Sequence, residues 1–143
     1  MQITEALHYR ESIVALLSAE KLPVADLPAT LENFLIARRG DELIGVAGIE
    51  IYGNYGLLRS LAVNPAHRNL GVASSLLSGI ETLAKAKGLK QIYLLTETAP
   101  GYFEHKGYQK ITRDEVSAEV QQSSEFGHVC PQSAIVMRKT LPL

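Results

Sequence analysis

With 143 residues the chain has the size of one compact domain, long enough to bury about two-thirds of its unfolded surface without metal or disulfide staples. Hydrophobic residues make up 46% and charged residues 20%, a balance that excludes a disordered chain or a collagen-like repeat. The 14 basic residues against 15 acidic ones leave a formal net charge of -1, which argues against a nonspecific nucleic-acid binder, and a single cysteine forms no internal disulfide, which points to a reducing, cytoplasmic setting.

At the start of the chain, Met1-Gln2-Ile3-Thr4-Glu5 lacks the basic-then-apolar layout of a signal peptide, and no apolar run downstream approaches the ~20 residues that span a bilayer. Ile13, Leu16 and Leu17 fall on one helical face and predict a helix over 8–20. Pro23 and Pro28 then bracket an irregular stretch. Strands are expected at 34–37, 43–51 and 57–63, the last interrupted by Arg59 and Ser60. Turn chemistry at Arg39-Gly40-Asp41-Glu42 and at Tyr52-Gly53-Asn54-Tyr55 joins them into an antiparallel meander. Then the period changes. Leu76, Leu77, Ile80, Leu83 and Ala84 follow helical spacing, with Gly88 where that helix ends. The apolar run 92–95 reads as a buried, parallel-type strand. A short helix at 101–106, a strand at 108–111, a polar helix at 116–126 and a last strand at 134–137 complete the chain. Hairpins followed by a strand–helix–strand crossover make this an α+β chain with a mixed sheet.

The stretch that carries chemistry runs Leu61-Ala62-Val63-Asn64-Pro65-Ala66-His67-Arg68-Asn69-Leu70-Gly71-Val72-Ala73. A strand ends near Val63, a loop follows and a helix begins close to Gly71. The first amides of a helix lack internal partners and carry partial positive charge, so this junction offers N–H groups to a phosphate or pyrophosphate. Gly71 and Ala73 have no bulk to block the approach, and Arg68 can add a charge-assisted contact. The plainer alternative is an ordinary loop whose glycine only starts a helix. A Walker loop is excluded by the missing Lys-Ser or Lys-Thr pair, and a dinucleotide fingerprint by having only Gly71 in register.

That stretch, followed by a helix, then Ile92-Tyr93-Leu94-Leu95-Thr96 and Tyr102-Phe103-Glu104-His105-Lys106-Gly107-Tyr108, resembles the GNAT acetyltransferase family in order and spacing over most of residues 34–138. The resemblance implies a mostly antiparallel sheet flanked by helices, in one domain over 1–143. It also implies acetyl-CoA as co-substrate, with the pyrophosphate on Arg68, Asn69, Leu70, Gly71, Val72 and Ala73. The pantetheine arm would lie along Leu61, Ala62 and Val63, and Phe103 joins the cofactor-binding set. The segments Leu57-Leu58-Arg59-Ser60-Leu61-Ala62-Val63, Leu94-Leu95-Thr96-Glu97-Thr98 and Phe126-Gly127-His128-Val129-Cys130-Pro131-Gln132-Ser133-Ala134 are similar to the small acetyltransferases found with arsenic-resistance genes. They are more distantly similar to the acetyltransferase domain of N-acetylglutamate synthase. Both point to an amino acid or its analogue as acceptor, with no nucleic-acid or membrane partner, and the family suggests a homodimer.

Acetyl transfer needs a neutral amine, a polarised thioester carbonyl and a proton for the leaving thiolate. Backbone N–H groups near Leu61 and Val63 are the expected oxyanion donors. An α-amino group titrates near ~7.7–8, so it needs only a weak base, and Glu50 is the candidate; a solvent-facing strand residue is the alternative. The family often puts a tyrosine four residues before the glycine of the last motif. Phe103 stands there, which leaves Tyr102 as a shifted proton donor, or no dedicated acid, or a core aromatic. Arg59 is the expected clamp for an acceptor carboxylate, against a surface ion pair with Glu50 across the hairpin. Thr96 and Ser133 add hydroxyl contacts. The arginines expected for glutamate are not evident, and Pro131 stands where one would lie. His128 and Cys130, spaced by one residue and without a partner cluster, do not make a metal site, while His67 and His105 are expected in solvated loops. Loops 20–33 and 112–132 are expected to set the acceptor. Three functions stay open: a small-amine N-acetyltransferase, a protein N-terminal or lysine acetyltransferase, and a non-catalytic acyl-CoA sensor.

Overall fold

The computed structural model describes residues 1–68, 70–123, 126 and 133–142. In chain order the elements are β1 (Gln2–Glu5), α1 (Arg10–Ala19), β2 (Phe34–Arg39), β3 (Glu42–Tyr52), β4 (Tyr55–Val63), α2 (Val72–Ala86), β5 (Gln91–Thr96), α3 (Pro100–His105), β6 (Gln109–Ile111), α4 (Ala118–Gln121) and β7 (Ile135–Thr140). Two 3-10 turns, Pro65–His67 and Arg113–Glu115, lie between them. The seven strands form one sheet in the order β1-β2-β3-β4-β5-β7-β6. β1 and β2, β2 and β3, β5 and β7, and β6 and β7 pair antiparallel, while β4 and β5 pair parallel through Tyr55–Gln91, Gly56–Ile92 and Leu57–Tyr93. The sheet is therefore mixed and mostly antiparallel, as expected, with helices flanking it.

The chain divides into two compact units, Met1–Ile49 with Arg59–Leu83, and Glu50–Leu58 with Ala84–Leu143. In the first, Ile13 and Leu17 of α1 join Phe34 and Ile36 of β2, Val46 of β3 and Ala62 of β4 in one buried cluster. The Ile13–Leu17 spacing turns one face of α1 inward, which is the physical content of the helical period. A side chain at Gly45 of β3 would meet Leu76 Cδ1 at 2.9 Å and Val72 Cγ1 at 3.0 Å, so glycine here lets the start of α2 lie close on the strand.

The second unit has its own cluster, built on Leu57 of β4, Tyr93 of β5 and Val136 of β7, with Val116, Val120 and Phe126. Gly88, at φ +74°, ends α2: its N–H reaches Lys85 O and the next N–H, of Leu89, reaches Ala84 O. At the 3-10 turn Arg113–Glu115, the Thr112 amide and hydroxyl donate to Glu115 Oε1 at 3.0 and 2.9 Å. These two donors, the amide first, hold the Glu115 carboxyl below its ordinary range.

Two expectations change. β1 carries no strand signal of its own length, and it becomes a strand by pairing with β2 from Gln2–Arg38 to Glu5–Leu35. Of the polar helix expected over 116–126, the residues up to Ser123 hold the single turn α4, capped by the Ser117 hydroxyl, and residues 124 and 125 lie outside the described residues. Val116, Val120 and Phe126 are all buried, so the apolar spacing marked three anchors.

Candidate active site

In the first unit the site is built on the far half of β4 and the loop that leaves it. Ser60 has φ +60°, a left-handed conformation that a non-glycine residue adopts only where its surroundings hold it. Arg59 Nε donates to Ser60 Oγ at 3.0 Å, fixing side chain to side chain at this kink in the strand. The Arg59 guanidinium is buried, with 3% of the residue exposed, and its two Nη groups clasp both carboxylate oxygens of Asp26 at 2.9 Å. Nη1 also reaches Asp26 O at 3.3 Å. The expected clamp thus holds an acidic residue of the 20–33 connection, and the pair is buried rather than on the surface.

Beyond Leu61, Ala62 and Val63 at the end of β4, Asn64 organises the loop. Its N–H donates to Ile44 O at 2.8 Å, and its side-chain oxygen accepts the Ala66 N–H at 3.0 Å, capping the 3-10 turn Pro65–His67. His67 is not solvated as expected: its side chain is 15% exposed and lies 3.4 Å from Glu42 Oε1. Arg68 is exposed and pairs with Glu20, the residue that follows α1. Asn69 lies outside the described residues. Leu70 is exposed. Gly71 adopts φ +77°, and a Cβ there would meet nothing within 4 Å. The first intrahelical bond runs from Ser75 N–H to Gly71 O, so the Val72 and Ala73 amides precede any α2 acceptor. An open, left-handed glycine ahead of amides without helical partners, beside an exposed arginine, is the chemistry of a phosphate-binding helix start.

The second unit carries the other candidates. Glu50, half-buried on β3, accepts the Tyr52 hydroxyl hydrogen at 2.7 Å. Thr96 closes β5 by accepting the Ala99 N–H on its hydroxyl at 3.1 Å, which sets the entry to α3. On α3, Phe103 is buried and stacks edge-on with Tyr102 at 5.3 Å and with Tyr108 at 5.7 Å. Lys106 Nζ sits 5.6 Å from the Tyr102 ring centroid. The Tyr102 hydroxyl is buried and, among the described residues, is the side-chain polar group without a hydrogen-bond partner. A phenol kept from water without an acceptor is costly, which makes this hydroxyl a candidate for a ligand contact. Ser133 is exposed just ahead of β7, and His105 is exposed at the end of α3. Pro131, His128 and Cys130 lie outside the described residues. Among the described residues no three His, Cys, Asp or Glu side chains gather as a metal site.

Arg59, Leu61, Ala62, Val63, Arg68, Leu70, Gly71, Val72 and Ala73 thus share the first unit, while Glu50, Thr96, Tyr102, Phe103 and Ser133 belong to the second. Sequence reasoning passed over Glu20, Asp26 and Tyr52. The signal for Asp26 was available in part, since a buried arginine demands a carboxylate, but which carboxylate is a tertiary fact. Tyr52, read as the first residue of a turn, is the last residue of β3, two along from Glu50.

The family model of the acetyltransferase (GNAT) domain matches residues 30–110. An amino-acid acetyltransferase of Pseudomonas fluorescens (strain Pf0-1) is 32% identical over 94 residues, covering 64% of this chain and 22% of that protein. An amino-acid acetyltransferase of Azotobacter vinelandii is 43% identical over 85 residues, covering 58% of this chain and 20% of that protein. The chain therefore spans about a fifth of the length of these curated relatives. Among solved structures, N-acetylglutamate synthase from Neisseria gonorrhoeae, complexed with coenzyme A and N-acetyl-glutamate, superposes with a TM-score of 0.81 at 17% identity, over 99% of this chain and 35% of that one. Rv2747 from Mycobacterium tuberculosis, in complex with CoA and NLQ, gives 0.84 at 21% identity over 99% and 100% of the two chains. At these identities the likeness is one of fold.

Proposed function

Because the chain belongs to the acetyltransferase (GNAT) family, we propose that it moves an acetyl group from acetyl-CoA to the amine of a small molecule, an amino acid or a close analogue. The observation that carries this reading is the start of α2, where Gly71 leaves open space before the Val72 and Ala73 amides and Arg68 stands alongside. That arrangement suits a pyrophosphate, held by backbone N–H groups that need no net positive charge on the molecule. The Tyr102 hydroxyl, buried and without an acceptor among the described residues, fits a ligand sulfur or oxygen.

When bound, acetyl-CoA supplies an activated thioester. In this reading Leu61, Ala62 and Val63 line its arm, with the Leu61 and Val63 N–H groups stabilising charge on the carbonyl oxygen. Phe103 packs beside the thiol end. Glu50 takes the proton of the attacking amine, the new N–C bond forms as C–S breaks, and Tyr102 returns a proton to the thiolate. A thiol of pKa about 8.5 leaves readily, so Tyr102 adds to the rate rather than deciding it. Thr96 and Ser133 face the acceptor's polar end, whereas Arg59 is engaged by Asp26, and the amino-acid class is supported by the relatives named amino-acid acetyltransferase. A cytoplasmic setting and a homodimer belong to the same proposal. Among the described residues no helix is long and apolar enough to cross a membrane.

Release of CoA thiol from acetyl-CoA, followed against a panel of amino acids, polyamines and peptides, tests the proposal. Turnover with one or a few amino acids is the expected result. Turnover with peptides alone, or CoA binding without turnover on any acceptor, overturns it.

A further inference from the structure

The loop from β4 to α2 opens with a turn whose backbone bonding can be followed donor by donor. Asn64 N–H donates to Ile44 O of β3 at 2.8 Å. Pro65 has no N–H to place. Ala66 N–H donates to the Asn64 side-chain oxygen at 3.0 Å, His67 N–H to Asn64 O at 2.8 Å, and Arg68 N–H to Pro65 O at 3.4 Å. Asn64 thus takes part in three of these four bonds, and its side-chain oxygen is the acceptor for Ala66. A single 3-10 turn has few internal bonds of poor geometry, so it holds its form against water only with outside help. The Asn64 oxygen supplies that help at the start of the turn. At its end, His67 Nε2 lies 3.4 Å from Glu42 Oε1, at the first residue of β3. Arg68 is the C-cap of the turn, so the turn sets where the arginine stands and how the chain runs on towards Gly71.

We propose that Asn64 is a positioning residue for CoA: by capping the turn Pro65–His67, it holds the approach from Arg68 to Gly71 in its phosphate-receiving form before the ligand arrives. The inference rests on the start of α2 as the pyrophosphate site. A loop that visits several forms binds with an affinity reduced by the fraction of time it spends in the competent one, and ordering it on binding costs entropy. The cap removes that cost in advance. Asn64 acts through the turn and not by touching the ligand.

Calorimetric titration of the full chain with CoA tests this in the parent, Asn64→Ala and Asn64→Ser. Serine is neutral and ranks with asparagine as a capping residue, whereas alanine has no side-chain acceptor. Asn64→Ala is expected to weaken CoA binding about fivefold, the usual scale of a lost cap, and Asn64→Ser to stay within about twofold of the parent. Denaturant midpoints give the folded fraction of each variant, so a loss of folded chain is not counted as a loss of affinity. Parent-like affinity in Asn64→Ala, even with a lowered midpoint, leaves the cap a matter of stability alone and overturns the positioning role. Asn64→Ser binding as weakly as Asn64→Ala overturns it too, because the capping oxygen is then not what counts. A parent chain that binds no CoA overturns the pyrophosphate site itself, and the role of Asn64 with it.

Discussion

A guanidinium withdrawn from water must find its counter-charge close by, since the desolvation of an unpaired ion costs several kcal/mol. Arg59 meets that demand through Asp26, in a two-point clasp that also reaches the Asp26 carbonyl. The bond does more than neutralise. It ties the irregular connection between α1 and β2 to β4, ahead of the loop proposed to hold the cofactor, so the segment expected to contact the acceptor has a fixed anchor. Removing the carboxylate while leaving the arginine buried is the damaging change. Asp26→Ala is expected to cost about 3–5 kcal/mol in chemical denaturation, and a loss under about 1 kcal/mol would mean that the other contacts of Arg59 compensate its charge in the variant.

At the scale of elements, the start of α2 joins a backbone requirement to a chemical one. Gly71 needs a left-handed φ, which costs an alanine about 1 kcal/mol, and it faces open space rather than packed atoms. Aspartate tolerates this conformation better than most residues, so Gly71→Asp tests charge more than strain. It is expected to weaken CoA binding more than about tenfold in calorimetry, while Gly71→Ala loses much less. Equal losses in the two variants would assign the effect to the backbone. This junction was legible from sequence because a strand pattern, a short loop and a helical period followed one another without interruption. The meander was legible for the same local reason, with Gly40 and Gly53 at the turns and both at positive φ. Elements that owe their form to distant partners were not. β1 is a strand only through β2, and α4 is one turn because the residues around it are held by the Leu57–Tyr93 cluster and not by a helical face. The same division separates the site residues. Gly71 announces itself by type and position, whereas the partners of Arg59 and Arg68 lie 33 and 48 residues away in the chain.

For the molecule as a whole, the two compact units each hold their own apolar cluster, and β3 and β4 run through both. The first half of β4 supplies Leu57 to one cluster and the second half supplies Ala62 to the other, with Arg59 and Ser60 at the change. The site candidates follow the same partition. With a formal net charge of -1, no long-range field gathers anions to the chain, and the proposed attraction for a pyrophosphate resides in one loop. There, Arg68 already holds the carboxylate of Glu20. A ligand phosphate arriving at Arg68 therefore exchanges one anion for another instead of meeting a bare cation. Added salt weakens the internal pair and the incoming contact together, so their effects oppose each other. The affinity of the parent chain for CoA is expected to fall only gently with ionic strength. Glu20→Gln is expected to bind CoA roughly two- to fivefold tighter at low salt, the range of an exposed ion pair, with the advantage fading as salt rises. A variant no tighter than the parent at low salt would show that Glu20 does not compete. The loop thus carries its own counter-ion, and an isolated orthophosphate, too weakly held to displace it, gains little at a position where a ligand with many further contacts can.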